Sequence, residues 1–283
     1  MKPRFIAIGA IQAGPLPPQR GGRRPAEMKI QLRCPECGPA ATPVVVGFAA
    51  FQEDGQCDVE CESGHRVLTA LQNHKFELLI DSAALALRDG YYREAVATFA
   101  ASLESFWGFY VRVVARNDGA SNEVIARLQR DIRLSERRLG AMCLAHVRLT
   151  GQPYKVDGQG WQTFRNDVVH NGLFPSRDTA ASYGAHVYET IVAGMVQLED
   201  RAPEATRTEG RVALERAVAS LEKKRTDGSP APQVLWLETL FTHEVSGGRS
   251  FEQAIRMWSD TAWGYVPWDQ RQRDEGDRRQ PTR

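Results

Sequence analysis

Five cysteines stand in the 283-residue chain, and four of them crowd into its first quarter: Cys34, Cys37, Cys57 and Cys61. Cys34-Pro-Glu-Cys37-Gly has the spacing that wraps two thiolates around one ion, and its glycine permits the tight turn. Cys61-Glu-Ser-Gly-His65 repeats the arrangement with an imidazole as the closing ligand. A strand through Cys-Asp-Val-Glu-Cys points Cys57 and Cys61 the same way, and only its end reaches the turn. The expected set is therefore Cys34, Cys37, Cys61 and His65 around one structural Zn2+, with Cys57 as a spare thiol. The alternative set is Cys34, Cys37, Cys57 and Cys61. Four soft ligands close a tetrahedral sphere, which suits a structural rather than a catalytic ion. Zinc in this position substitutes for a core that about forty residues cannot build alone. The plainer reading makes these residues small buried hydrophobes.

The second group is Arg165-Asn166-Asp167-Val168-Val169-His170, followed by Asn171-Gly172 and Pro175. In RNA, a 2′-hydroxyl attacks its own phosphate once a base takes the proton. An imidazole exchanges a proton near neutral pH and serves as base or acid. Charge developing on the phosphate oxygens calls for a permanent cation, and arginine offers a planar donor fork. Asn166 sits four residues before His170, on the same helix face, where it can bind phosphate or fix the imidazole tautomer. Arg165 and His170 are five apart, about 140° around an ideal helix, so the long arginine or a helix end must bring them to one site. The plainer reading pairs Arg165 with an acid such as Glu104 and leaves His170 as a helix cap or core histidine.

This stretch resembles the signature of the HEPN superfamily: arginine, a polar residue, three further positions, then histidine. The resemblance spans about residues 71–200, where Glu-Ala-Val-Ala-Thr-Phe-Ala-Ala-Ser-Leu-Glu-Ser-Phe is similar to the Ala-rich second helix of such domains, with Glu104 as an inward polar group. It implies a helical domain and a metal-independent endoribonuclease of the kind used in toxin–antitoxin and anti-phage defence systems. RNA is the implied substrate, with Arg165, Asn166 and His170 as the catalytic residues. It also implies a homodimer whose two motifs line one cleft, and an antitoxin or activating protein as a further partner. The alternative function is a non-catalytic zinc-ribbon and HEPN module that dimerises and binds nucleic acid or protein.

The elements that must position these residues follow from hydrophobic period. Residues 1–28 are rich in Pro, Gly and Arg and are expected to be disordered, with Met28 a candidate initiator. Short strands and turns suit 29–70, the zinc ribbon. Apolar residues then recur at helical spacing. One helix includes Phe76 to Leu87 and ends at Asp89-Gly90; a second runs from Tyr92 to about Arg116; a third runs unbroken from Ser121 to about Thr150. The motif helix follows a Gly-rich loop and ends near Gly172. Ser176 is a fitting N-cap for a helix over 177–198. Residues 201–268 are expected to form a helical C-terminal extension: an exposed charged helix at 207–225, then short helices near 234–243 and 251–258. Residues 269–283 are expected to be disordered. The fold class is thus mainly α, a HEPN-like helical bundle preceded by a small β zinc ribbon.

His146, His186 and His243 fall on amphipathic stretches and are expected to be ordinary core-edge histidines. His186 and Tyr183 are the two that the helix after the motif can turn toward the site. Trp236, Trp258, Trp263 and Trp268 are expected to anchor the C-terminal helices. No Gly-rich phosphate loop, nucleophile elbow or paired-carboxylate motif appears.

Bulk properties narrow the classes. Apolar residues make up 42% and charged residues 25%, as in an ordinary globular protein, and the net charge is +1. Residues 1–33 carry seven Lys/Arg against one acid, and 111–148 carry eight Arg against four acids, a mild local excess of positive charge. No run approaches the roughly 20 apolar residues of a membrane span. Clustered rather than dispersed cysteines point to a reducing compartment, so a cytoplasmic location is expected.

Overall fold

The computed structural model describes residues 27–32, 45–51, 56–60, 65–156, 160–224 and 248–262, together with 37, 233–235, 237 and 239–241. The fold is mainly α, with eight helices and one five-stranded sheet among the described residues. The strands are β1 (Glu27–Leu32), β2 (Val45–Phe51), β3 (Gln56–Glu60), β4 (Arg66–Leu71) and β5 (Gln233–Leu235). The first four form an antiparallel meander, and β5 joins β4 in parallel. Register places Leu32 opposite Val45 and Glu60 opposite Arg66. The connections 33–44 and 61–65 therefore leave from the same end of the sheet.

The helices are α1 (Lys75–Arg88), α2 (Tyr92–Asn117), α3 (Asn122–Asp131), α4 (Ser135–Thr150), α5 (Trp161–His170), α6 (Arg177–Arg201), α7 (Pro203–Lys224) and α8 (Phe251–Ala262). Helix α2 is the axis of the bundle. Its buried side chains, among them Val96, Phe99, Leu103, Phe106, Tyr110 and Val113, point to several sides rather than one stripe. That is the pattern of a helix surrounded by others, and α1, α4, α5, α6 and α7 all pack on it. Gly90, at φ +86°, turns the chain from α1 into α2. The Ser102 hydroxyl donates to the Phe76 carbonyl at 2.7 Å across this pair.

Three elements depart from the sequence expectation. The run from Ser121 to Thr150 is two helices, α3 and α4, because Leu134 takes an extended conformation at ψ 142°. The break buries Ile132 and starts α4 at Ser135, whose hydroxyl donates to the Glu104 carboxylate at 2.7 Å. Helix α7 is charged but not wholly exposed: Ala217 and Leu221 pack on Ala70 of β4. Glu209 of α7, only 5% exposed, accepts from Arg112 and Arg116 of α2. Residues 233–235, expected to begin a helix, extend the sheet at Thr69–Leu71 instead. The expected helix around Phe251 is present as α8, and α6 begins as expected with Ser176 accepting from the Thr179 amide at 3.2 Å.

Candidate functional site

Helix α5 carries the motif on only ten residues. Buried Val168 seats it on the bundle. Trp161 and Phe164 lie 5.7 Å from the Tyr183 ring of α6, and Trp161 stacks on His186 at 5.8 Å and 23°. These rings fix the rotation of α5. Past its end, Gly172 takes φ +73°, which lets the Leu173 amide turn back to the Asp167 carbonyl at 3.0 Å.

With α5 so turned, Trp161, Gln162, Arg165 and Asn166 face an open cleft. Its other walls are Ala100, Leu103, Glu104 and Trp107 of α2, Ser135, Glu136 and Leu139 of α4, and Tyr183 and His186 of α6, with Val156 at one edge. The Arg165 Nη2 donates to Glu104 Oε1 at 2.6 Å, and Nη1 donates to Asn166 Oδ1 at 2.9 Å. Glu104 Oε1 also accepts from Ser135 Oγ at 2.7 Å, and the Glu104 carbonyl accepts from Arg138 Nη1 at 3.2 Å. Arg165 and Glu104 side chains remain 22% and 21% exposed, so the pair is held but still touches solvent. A guanidinium has five N–H donors, and two here are committed to protein.

His170 is exposed at the last position of α5 and lies outside the lining of the cleft. It continues the row Gln162, Asn166, His170 at four-residue steps, which places it one turn, about 6 Å of rise, beyond Asn166. The anticipated ion pair of Arg165 with Glu104 is present. His170 is exposed rather than in the core, and among the described residues no hydrogen bond joins it to the α5 backbone. His186 and Tyr183 line the cleft. His146 is 9% exposed, its Nδ1 2.9 Å from the Gln152 carbonyl oxygen. The sequence pointed to Glu104, His186 and Tyr183 but gave no sign of Ser135 or Trp161. Ser135 enters only through the break between α3 and α4, which no glycine or proline marks.

At the other candidate centre, Cys37 Sγ lies 3.3 Å from His65 Nδ1 across 28 residues of chain. A tetrahedral ion with Zn–S of about 2.3 Å and Zn–N of about 2.05 Å sets two such atoms roughly 3.6 Å apart. The pair thus fits a shared zinc ion to within about 0.3 Å. Cys34 and Cys61 lie outside the described residues, within the two connections that leave the same sheet end. Cys57 sits in β3 opposite Phe51 and Thr69, toward the other end. It lies three residues, about 10 Å of strand, from Glu60 at the end of β3, where the connection 61–65 begins. Among the described residues no group of three metal-ligating side chains occurs. His243, Trp236, Trp263 and Trp268 also fall outside them, as does the Trp258 side chain.

No helix among the described residues is long and apolar enough to cross a membrane. Compared with models of known families, with curated proteins and with solved structures, the chain matches none.

Proposed function

We propose that the chain is a metal-independent endoribonuclease of the HEPN type, carrying one structural zinc ion on Cys34, Cys37, Cys61 and His65. The observation that supports it most is the layout of α5: Arg165 and Asn166 open on a cleft, and His170 stands exposed one turn farther along the same row.

In the reaction, an imidazole takes the proton of a ribose 2′-hydroxyl, and the oxygen forms a bond to the adjacent phosphorus. The bond from phosphorus to the 5′ oxygen breaks, and a second proton donor neutralises that leaving oxygen. The products are a 2′,3′-cyclic phosphate and a 5′-hydroxyl. Arg165, steadied by Glu104, offers its remaining N–H groups to the phosphate oxygens as charge builds. His170 supplies one proton-transfer group, and Asn166 helps to orient it or the phosphate. A second copy of the chain supplies the other imidazole. Leu173 and Phe174, 43% and 82% exposed beside His170, give that end of α5 an apolar surface suited to a partner copy.

One observation favours a second reading, a dimerising and binding module without catalysis. Arg165 already spends two of its donors on Glu104 and Asn166, as a structural arginine does. Incubation of mixed RNA with the protein and with Arg165→Ala and His170→Ala, each checked for folding and zinc, separates the two. Cleavage by the parent that leaves cyclic phosphate ends, reduced about 100-fold or more in both variants, is the expected result. Equal cleavage by all three, or none by the parent, removes the ribonuclease reading.

A further inference from the structure

The break between α3 and α4 gathers positive charge at the rim of the cleft. Residues 130–138 hold four arginines against two acids, Asp131 and Glu136. Arg130 lies in the last turn of α3, where a cation meets the negative end of the helix dipole. Arg137 and Arg138 lie in the first turn of α4, where a cation meets the positive end, a placement that the helix itself disfavours. What holds them is the row of carbonyls left open where α3 stops. Arg133 Nε donates to the Arg130 carbonyl at 3.1 Å, Arg137 Nη1 to the Asp131 carbonyl at 3.2 Å, and Arg138 Nη2 to the Arg133 carbonyl at 3.5 Å. A carbonyl is neutral, so these bonds gather the guanidinium groups without cancelling their charge. Arg133 and Arg137 are exposed, and no carboxylate among the described residues pairs with either. Other exposed arginines do pair: Arg207 with Glu204 and Arg256 with Glu252, each at 2.6 Å. Asp131, the acid inside the elbow, lies 4.0 Å from Arg127.

The elbow is also joined to Arg165. Ser135, Glu136 and Leu139 of its α4 limb line the cleft. The Ser135 hydroxyl donates to the same Glu104 oxygen that takes Arg165. Arg165 and Glu104 balance each other as a pair, so the elbow sets the sign of the charge beyond them. An extended RNA strand carries a negative charge at every nucleotide and is held along its path by successive cations, whatever its bases. We propose that the α3–α4 elbow is the track on which the RNA backbone leaves the cleft, with its phosphates facing Arg133 and Arg137. The track rests on the ribonuclease reading, which puts the scissile phosphate at Arg165, but its test needs no cleavage.

That test is fluorescence anisotropy of the full chain with a labelled single-stranded RNA of about 12 nucleotides, read across a salt series from about 0.05 to about 0.5 M. The RNA is 2′-O-methylated, so no 2′-hydroxyl is present to attack. The logarithm of the binding constant falls against that of salt with a slope of about 0.7 for each phosphate neutralised on a single strand. Arg133→Ala and Arg137→Ala should each flatten that slope by about 0.7, and the double variant by about 1.4, a loss of roughly 25-fold at about 0.1 M salt. Arg133→Lys with Arg137→Lys keeps the charge and should keep the slope. Arg256→Ala removes a paired arginine of α8 and should leave the slope as it is. A merely structural loss lowers affinity at every salt concentration without changing the slope. An unchanged slope in the double alanine variant, an equal flattening in Arg256→Ala, or no RNA binding by the parent overturns the track. Flattened slopes with no cleavage of unmodified RNA by the parent sink the ribonuclease reading and leave the elbow as an RNA-binding surface. Cleavage with an unchanged slope does the reverse.

Discussion

His74 shows how far one side chain can be governed by its neighbours. Its ring stacks on Phe76 at 5.5 Å and tilts against Phe109 at 4.3 Å, at the junction of sheet and bundle. Removal from water lowers its pKa to about 4, the nearby Arg112 adds to the lowering, and Glu209 opposes it. An unfolded histidine titrates near 6.5. Between these values the unfolded chain binds a proton that the folded one refuses, so this contribution to stability is complete above pH 6.5 and is lost as pH falls toward 4. Glu77 and Asp81 act with the opposite sign, because burial raises both carboxyls and favours the fold at acid pH. Replacing His74 alone isolates its share. His74→Gln should flatten the loss of stability between pH 6.5 and 4, by about 3 kcal/mol at most, in urea melts recorded across that range. An unchanged slope would show that the imidazole protonates freely in the fold.

Helix packing decides where the cleft residues stand, and glycines let α6 sit tightly on α2. A Cβ added at Gly194 would run into the Phe106 ring, and one at Gly184 would come within 2.8 Å of Phe99. Gly194→Ala is therefore expected to destabilise the fold by about 1–3 kcal/mol, because overpacking outweighs the gain in helix propensity. A denaturant midpoint at or above that of the parent would refute the tight seat. Helices with a clean apolar period were legible from sequence, as were α1, α2 and the Ser176 cap of α6. The break at Ile132–Leu134 was not, since it serves a tertiary hydrogen bond to Glu104 and carries no breaker residue. Strand β5 was misread because Val234, Leu237 and Leu240 fit a helical step, whereas the open edge of β4 makes a strand of Gln233–Leu235. In the site, Arg165 and His170 were legible by type and spacing. The roles of Ser135 and Trp161 depend on other helices meeting α5, which no local pattern encodes.

Across the whole molecule, sheet and bundle are joined at several points. Helix α7 bears on β4 through Ala217 and Leu221, and on α2 through Glu209. The Asn73 side chain clasps Leu237 by both hydrogen bonds, at 2.7 and 2.9 Å. Loss of the proposed zinc should therefore reach the bundle. One zinc per chain is expected by elemental mass spectrometry, retained in Cys57→Ser and lost in Cys37→Ser and His65→Ala. The two zinc-free variants should also melt roughly 5 °C or more below the parent. Zinc retained in His65→Ala but lost in Cys57→Ser would reassign the ligand set to Cys34, Cys37, Cys57 and Cys61.

The clasp at Asn73 also sets an order of events. Its two halves are 164 residues apart in the chain. During synthesis at about 5–20 residues per second, the sheet emerges roughly 10–30 s before the segment that completes it. For that interval Thr69–Leu71 of β4 present an unpaired edge, the kind of surface that recruits strands from other chains. Strand β5, the last to be made among the described residues, is thus the one that ends the nascent protein's exposure to its own copies.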